Sequence, residues 1–140
     1  MLDSISDMIT RIRNANASKK EEVLLPYSKL RFAVAQLLVK EGWIEKTEVI
    51  EPSRVAHANK NIEEKFKQLR IVLKYNNNQS FITAINRVSR PGQRIYVKKD
   101  KIKPVLNGFG MAVISTPKGL MTDKEAKQKQ IGGEVFFEIW

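Results

Sequence analysis

Cysteine is absent from the 140 residues, and histidine occurs once, as His57. Without thiols the chain can form neither disulfides nor thiolate metal sites, and one imidazole does not make a metal site alone. The sequence therefore argues against a metal enzyme, and no cofactor or metal ligand is expected. No apolar run approaches the roughly 18 residues a membrane span requires, so no membrane partner is expected. The opening "MLDSISDMITRIRNAN" has acids where a secretory signal would carry bases, which points to the cytoplasm. Internal repeats and low-complexity tracts are also missing.

What is present is a folded chain with an anion-seeking charge. A hydrophobic content of 42% over this length suits one moderate core or two small ones. The formal net charge is +10, which favours a polyanion through phosphate neutralisation and counterion release. Residues 87–118 concentrate it: eight cations, Arg87, Arg90, Arg94, Lys98, Lys99, Lys101, Lys103 and Lys118, accompany the single acid Asp100, a net of +7 in 32 positions.

Hydrophobic spacing divides the chain into an α+β pattern. Ile5, Met8, Ile9 and Ile12 recur at i, i+3, i+4 and i+7, one face of a helix that starts near Asp3 or Ser4. Leu30, Ala33, Val34 and Leu37 mark a second helix, with Ser28 as its cap and Gly42 as its stop. Lys29 and Arg31 in its first turn oppose the helix dipole by roughly 0.3 to 1 kcal/mol each, which an anionic partner would offset. A strand is expected in "WIEKTEVIE", a loop or strand extension over 52–68, and a strand in "LRIVLKY" with Leu69, Ile71, Leu73 and Tyr75 on one face. Three asparagines at 76–78 form a turn and a candidate domain boundary. The expected architecture is two small domains: 1–76, two helices packed on a short sheet, and 77–140, mostly antiparallel β with one short helix.

In the second half, "RPGQ" is expected to make a type II turn with Gly92 at positive φ. "RIYV" should place Arg94 and Tyr96 on one side of a strand, a surface suited to a sugar or base. "VLNGFG" reads as a turn, "MAVIS" as a buried strand and "EVFFEIW" as the closing strand. Thr122 and Glu125 have the spacing of a capping box, so "TDKEAKQKQ" should be a short helix ended by Gly132 and Gly133. "STPKG" then falls in an exposed strand-to-helix connection. It contains Ser-x-x-Lys, Ser115 with Lys118, the spacing of some acyl-transfer nucleophiles. Those enzymes also need the serine on a helix N-terminus and further motifs that this chain lacks, so no catalytic residue is assigned.

Several long motifs in order, "SDMITRIRNAN", "PYSKLR", "EGWI", "LRIVLKY", "RVSRPGQRIYV", "VLNGFGMAVISTPKGLMTDKEA" and "GGEVFFEIW", resemble the bacterial small-subunit ribosomal protein S-eight family. The resemblance implies a structural constituent of the 30S subunit with RNA-binding surfaces on both domains. It implies binding of the central domain of 16S ribosomal RNA early in assembly, the proteins S-five and S-twelve as neighbours, and repression of the family's own operon messenger. The family's Ser-Thr-Ser-Lys-Gly loop corresponds to Ser115, Thr116, Pro117, Lys118 and Gly119, with Pro117 replacing a serine. Its Gly-Gly-Glu corresponds to Gly132, Gly133 and Glu134, its Arg-x-Tyr to Arg94 and Tyr96, and its basic helix start to Lys29 and Arg31. With Arg87 and Arg90 from the basic segment, these residues other than Gly132 make the expected RNA-binding set. Two other functions stand beside it: a free-standing RNA-binding regulator of the same fold, and a small hydrolase using Ser115 and Lys118. No small-molecule substrate is expected.

Overall fold

The computed structural model describes residues 4–51 and 67–140; His57 and most of the polar stretch 52–68 lie outside them. The fold is α+β, in two compact units, one comprising 1–13 with 82–140 and the other 14–81.

The 14–81 unit is built on an antiparallel sheet in the order β1-β3-β2, where β1 is Glu22–Pro26, β2 Lys46–Ile50 and β3 Gln68–Val72. Period-two alternation turns Val23, Leu25, Leu69 and Ile71 inward. On the outer side Arg70 of the central strand donates to both Glu22 and Glu48, tying all three strands together. This pairing lowers the Glu48 pKa, chiefly through the Arg70 hydrogen bond, and raises that of Arg70. Helix α2, Lys29–Lys40, packs on β2 and β3. Ser28 caps it, accepting from the Arg31 amide at 3.1 Å, and Gly42 follows its end at φ +81°. The buried stripe is Val34, Ala35, Leu37 and Leu38, whereas Leu30, expected inside, is 38% exposed. Strand β4, Tyr75–Asn76, pairs with β5, Gln79–Ser80, across Asn77 and Asn78 at φ 51° and 65°, so the asparagines do make a turn. Asparagine tolerates that left-handed region better than other non-glycine residues.

The other unit begins with α1, Ser4–Ala17, whose last turn belongs to the 14–81 unit. Ile5, Met8, Ile9 and Ile12 are buried, as their spacing requires. The unit's sheet runs β6-β10-β8-β9, with β6 Ile85–Arg87, β8 Met111–Thr116, β9 Gly119–Thr122 and β10 Gly133–Ile139; β7, Tyr96–Val97, pairs with the start of β10. Helix α3, Asp123–Gln128, packs on β8 and β9 over Ile102, Val105, Ala112, Ile114, Met121 and Ala126. A bulge in β10 between Val135 and Phe137 inserts Phe136, which lets consecutive phenylalanines both be buried.

Three local expectations are corrected. Gly92 does not take positive φ, so the "RPGQ" turn is not type II; Arg90 and Gln93 instead exchange backbone hydrogen bonds of 3.0 Å across it. Helix α3 stops at Gln128, and the left-handed residue after it is Gln130 at φ 53°, not a glycine. "STPKG" does not lead straight into that helix: it spans the tip of the β8–β9 hairpin, with the turn at Pro117 and Lys118 and three further strand residues before α3. Neither Pro117 nor Lys118 has positive φ, while Gly119 stands at +109°. That is a type I turn closed by a left-handed glycine, for which proline at the first central position is well suited.

Candidate nucleic-acid interface

Strand β10 is flanked at its start by β7 on one side and β8 on the other, and the register places Tyr96, Glu134 and Ser115 directly opposite one another. Residues opposite across antiparallel strands project from the same face. A tyrosine, a carboxylate and a hydroxyl thus form one row over three strands. Around it lies an open groove of about 820 Å³, lined also by Lys98, Lys99, Asp100, Thr116, Pro117, Gln130 and Gly132.

Gly132 and Gly133 make the groove through space, not conformation. A Cβ on Gly132 would run into the Val97 carbonyl oxygen, and one on Gly133 into that of Ser115. Their absence of side chain lets β7 and β8 close on the start of β10, which keeps Tyr96 and Ser115 beside Glu134.

The side chains are held by polar contacts local to the turns. Arg94 donates to Glu134 Oε1 at 2.9 Å, and Glu134 is only 15% exposed while Arg94 is 49% exposed. Tyr96 is 70% exposed. The Thr116 hydroxyl donates to the Gly119 carbonyl at 2.8 Å and accepts from the Lys118 amide at 3.1 Å, which braces the turn that presents Ser115 and Pro117. Buried Ser89 accepts from the Ile95 amide at 2.7 Å, fixing the approach to β7. Buried Asp123 accepts from the Ala112 amide at 3.1 Å, and Thr122 caps α3 through the Glu125 amide at 3.1 Å. These buried polar groups meet their hydrogen-bonding needs within the fold, as stability requires.

The structure gathers Tyr96, Ser115, Thr116, Pro117, Gly133 and Glu134 into this groove, with Arg94, Lys118 and Gly119 beside it. It does not gather the rest. Arg87 and Arg90 line a separate pocket against α1. Lys29 and Arg31 lie in the 14–81 unit, where the Arg31 guanidinium donates to the Pro26 carbonyl at 2.9 Å. Lys98, Lys99 and Gln130 also line the groove, outside the expected set; the first two belong to the basic segment, whereas Gln130 arrives through its left-handed backbone, which its residue type does not announce.

Chemically the groove offers hydrogen bonds, an aromatic face and two carboxylates, of which Glu134 is paired with Arg94, and cations at its margin. Ser115 and Lys118 sit in a strand and a turn, not at a helix start as a serine–lysine acyltransferase needs. Among the described residues no cluster of His, Cys, Asp or Glu could hold a metal ion, and no helix is long and apolar enough to cross a membrane.

A family model described as ribosomal protein S8 matches residues 3–140. Small ribosomal subunit protein uS8 of Exiguobacterium sp. is 47% identical over 141 residues, covering 100% of this chain and 98% of that protein. The protein of the same name from Ruminiclostridium cellulolyticum is 47% identical over 138 residues, covering 99% and 97%. That of Bacillus cereus is 47% identical over 141 residues, covering 100% and 98%. These relatives are proteins of the small ribosomal subunit by name. With a match through essentially its whole length, the chain belongs to the ribosomal protein S8 family.

Proposed function

We propose that this chain, as a constituent of the small ribosomal subunit in the cytoplasm, binds the central domain of 16S ribosomal RNA directly and does so during subunit assembly. The observation that carries the reading is the row of Tyr96, Glu134 and Ser115 above a groove with cations at its edge. RNA recognition divides naturally between base or ribose contacts, made by aromatic faces and short hydrogen-bonding groups, and phosphate contacts, made by cations. Tyr96 supplies a stacking face, Ser115 and the Gly133 region supply small polar contacts, and Glu134 is a carboxylate acceptor oriented by Arg94. Pro117 shapes the turn, Thr116 braces it, and Lys118 with Lys98 and Lys99 meets phosphates.

Lys29 and Arg31 give the 14–81 unit a second point of phosphate attachment in this reading, so both units engage RNA. Neighbouring proteins S-five and S-twelve, and repression of the chain's own operon messenger through a mimic of the ribosomal site, follow from family resemblance and complete the proposal. The experiment is co-sedimentation with small subunits after a moderate-salt wash. A stoichiometric band on the subunit supports it; a chain that washes off while still binding RNA hairpins would instead be a free-standing regulator.

A further inference from the structure

A second pocket, of about 480 Å³, lies in the same unit between α1 and β6. Ser6, Thr10 and Arg13 line it from one face of α1, at i, i+4 and i+7. Asn86 and Arg87 of β6 and Arg90 beyond it complete the wall. Three guanidinium groups therefore border one pocket whose lining, among the described residues, includes no carboxylate. Two of them are fixed. Arg13 donates to the Ile85 carbonyl, and Arg87 donates to the Ser89 carbonyl with its guanidinium 5.7 Å from the centre of the Phe136 ring. Among the described residues, Asp7 of α1 is bonded to Arg11 at 3.1 Å, and Glu138 stands opposite Asn86 on the neighbouring strand.

We infer that this pocket binds the oxygens of a phosphate group, and that in the bound state the group is a phosphodiester of the same RNA that the groove reads, which rests on the function proposed above. Arginine forks anchored in advance, joined by two hydroxyls, suit a tetrahedral oxyanion and lose little freedom on binding it. The register supports a shared RNA. Arg87 lies opposite Phe137, and the bulge at Phe136 puts Phe137 on the face of Glu134, so Arg87 and the Tyr96–Glu134–Ser115 row project from one side of the sheet. Across the bulge the two positions of β10 face Ser115 and Val113, two residues apart on β8 and so about 7 Å at the usual strand rise, a span that one RNA covers.

The test uses the full chain and two probes: a transcript of the 16S central domain titrated at several salt concentrations, and inorganic phosphate alone compared with chloride at equal ionic strength. Thr10→Glu sets a carboxylate in the pocket at a helical position glutamate favours over threonine, and Arg90→Gln removes an exposed cation. The expected result is at least a tenfold weaker RNA complex for Thr10→Glu, and for Arg90→Gln a salt slope shallower by about 0.7 to 0.9, one phosphate contact. If the wild type binds the transcript and both variants match it in affinity and slope, the pocket inference is overturned while the RNA-binding function stands. If phosphate raises the wild-type unfolding temperature, Thr10→Glu abolishes that rise and RNA affinity is unaltered, the site holds a free anion and its assignment to RNA is overturned. If the wild type shows no salt-sensitive binding to the transcript, the function proposed above falls, and the RNA assignment with it.

Discussion

The Thr116 hydroxyl donates to the carbonyl of Gly119 at 2.8 Å and accepts from the amide of Lys118 at 3.1 Å, so it bonds across its own turn. Thr116→Ala removes both bonds, at about 0.5 to 1.5 kcal/mol each, and should destabilise the protein by about 1 to 3 kcal/mol in denaturant unfolding. RNA affinity should fall with it, because the turn presents Ser115 and Pro117. Thr116→Ser keeps the hydroxyl and should recover both properties. A Thr116→Ala protein of wild-type stability that has lost its RNA would make the hydroxyl a direct reader instead.

Glycines in this chain separate by what surrounds them. A Cβ on Gly92 meets nothing within 4 Å and the backbone there has no positive φ. Gly92→Ala should therefore leave the fold intact and raise stability by about 0.4 to 1 kcal/mol, through the unfolded chain. Gly133→Ala drives a methyl into the Ser115 carbonyl, backbone that cannot swing aside. It should cost about 1 to 3 kcal/mol, the usual range for overpacking. Equal unfolding midpoints for the two variants would contradict this division.

Stability should respond to pH at both ends. Glu48 has its pKa lowered from 4.5, first by the Arg70 hydrogen bond, so its contribution is present above that value and is lost as pH falls through the folded pKa. Tyr75 has its pKa raised from 10.0, first by burial and then by Glu21, and its phenol donates to the Lys20 carbonyl. That contribution is intact below 10.0 and is lost as pH rises through the folded pKa. Unfolding curves across pH should show both declines. Glu48→Gln should blunt the acid one and Tyr75→Phe the alkaline one, leaving the other limb in place.

Element types were legible wherever one face of a segment is buried. Ile5, Met8, Ile9 and Ile12 repeat with a helical period, and Leu69 and Ile71 alternate as a strand, because burial of one side leaves its period in the residue types. The cap at Ser28 and the turn at 77–78 were legible for a local reason, since each rests on the chemistry of one or two residues. What was hidden depends on partners distant in sequence. The role of Gly132 and Gly133 comes from carbonyls of β7 and β8, so they resemble helix stops until the pairing is known. Gln130 takes the left-handed position glycine would be expected to fill, which no propensity indicates. In the same way the motifs named Tyr96, Ser115 and Glu134 individually, but their alignment in one row is a property of register, and the meeting of Arg13 with Arg87 and Arg90 is a property of topology.

The most direct measurement is the affinity of wild type, Tyr96→Ala, Tyr96→Phe and Ser115→Ala for a transcript of the 16S central domain at one fixed salt concentration, with unfolding temperatures recorded alongside. Tyr96 is 70% exposed, so its truncation should leave the fold unchanged. If the row reads RNA, Tyr96→Ala loses about 1 to 3 kcal/mol, the range for one stacked base, while Tyr96→Phe retains most of the affinity. Ser115→Ala loses about 0.5 to 1.5 kcal/mol, one hydrogen bond. Wild-type affinity in both Tyr96→Ala and Ser115→Ala, with the transcript still bound by the parent chain, would contradict the assignment of this row as the RNA-reading surface.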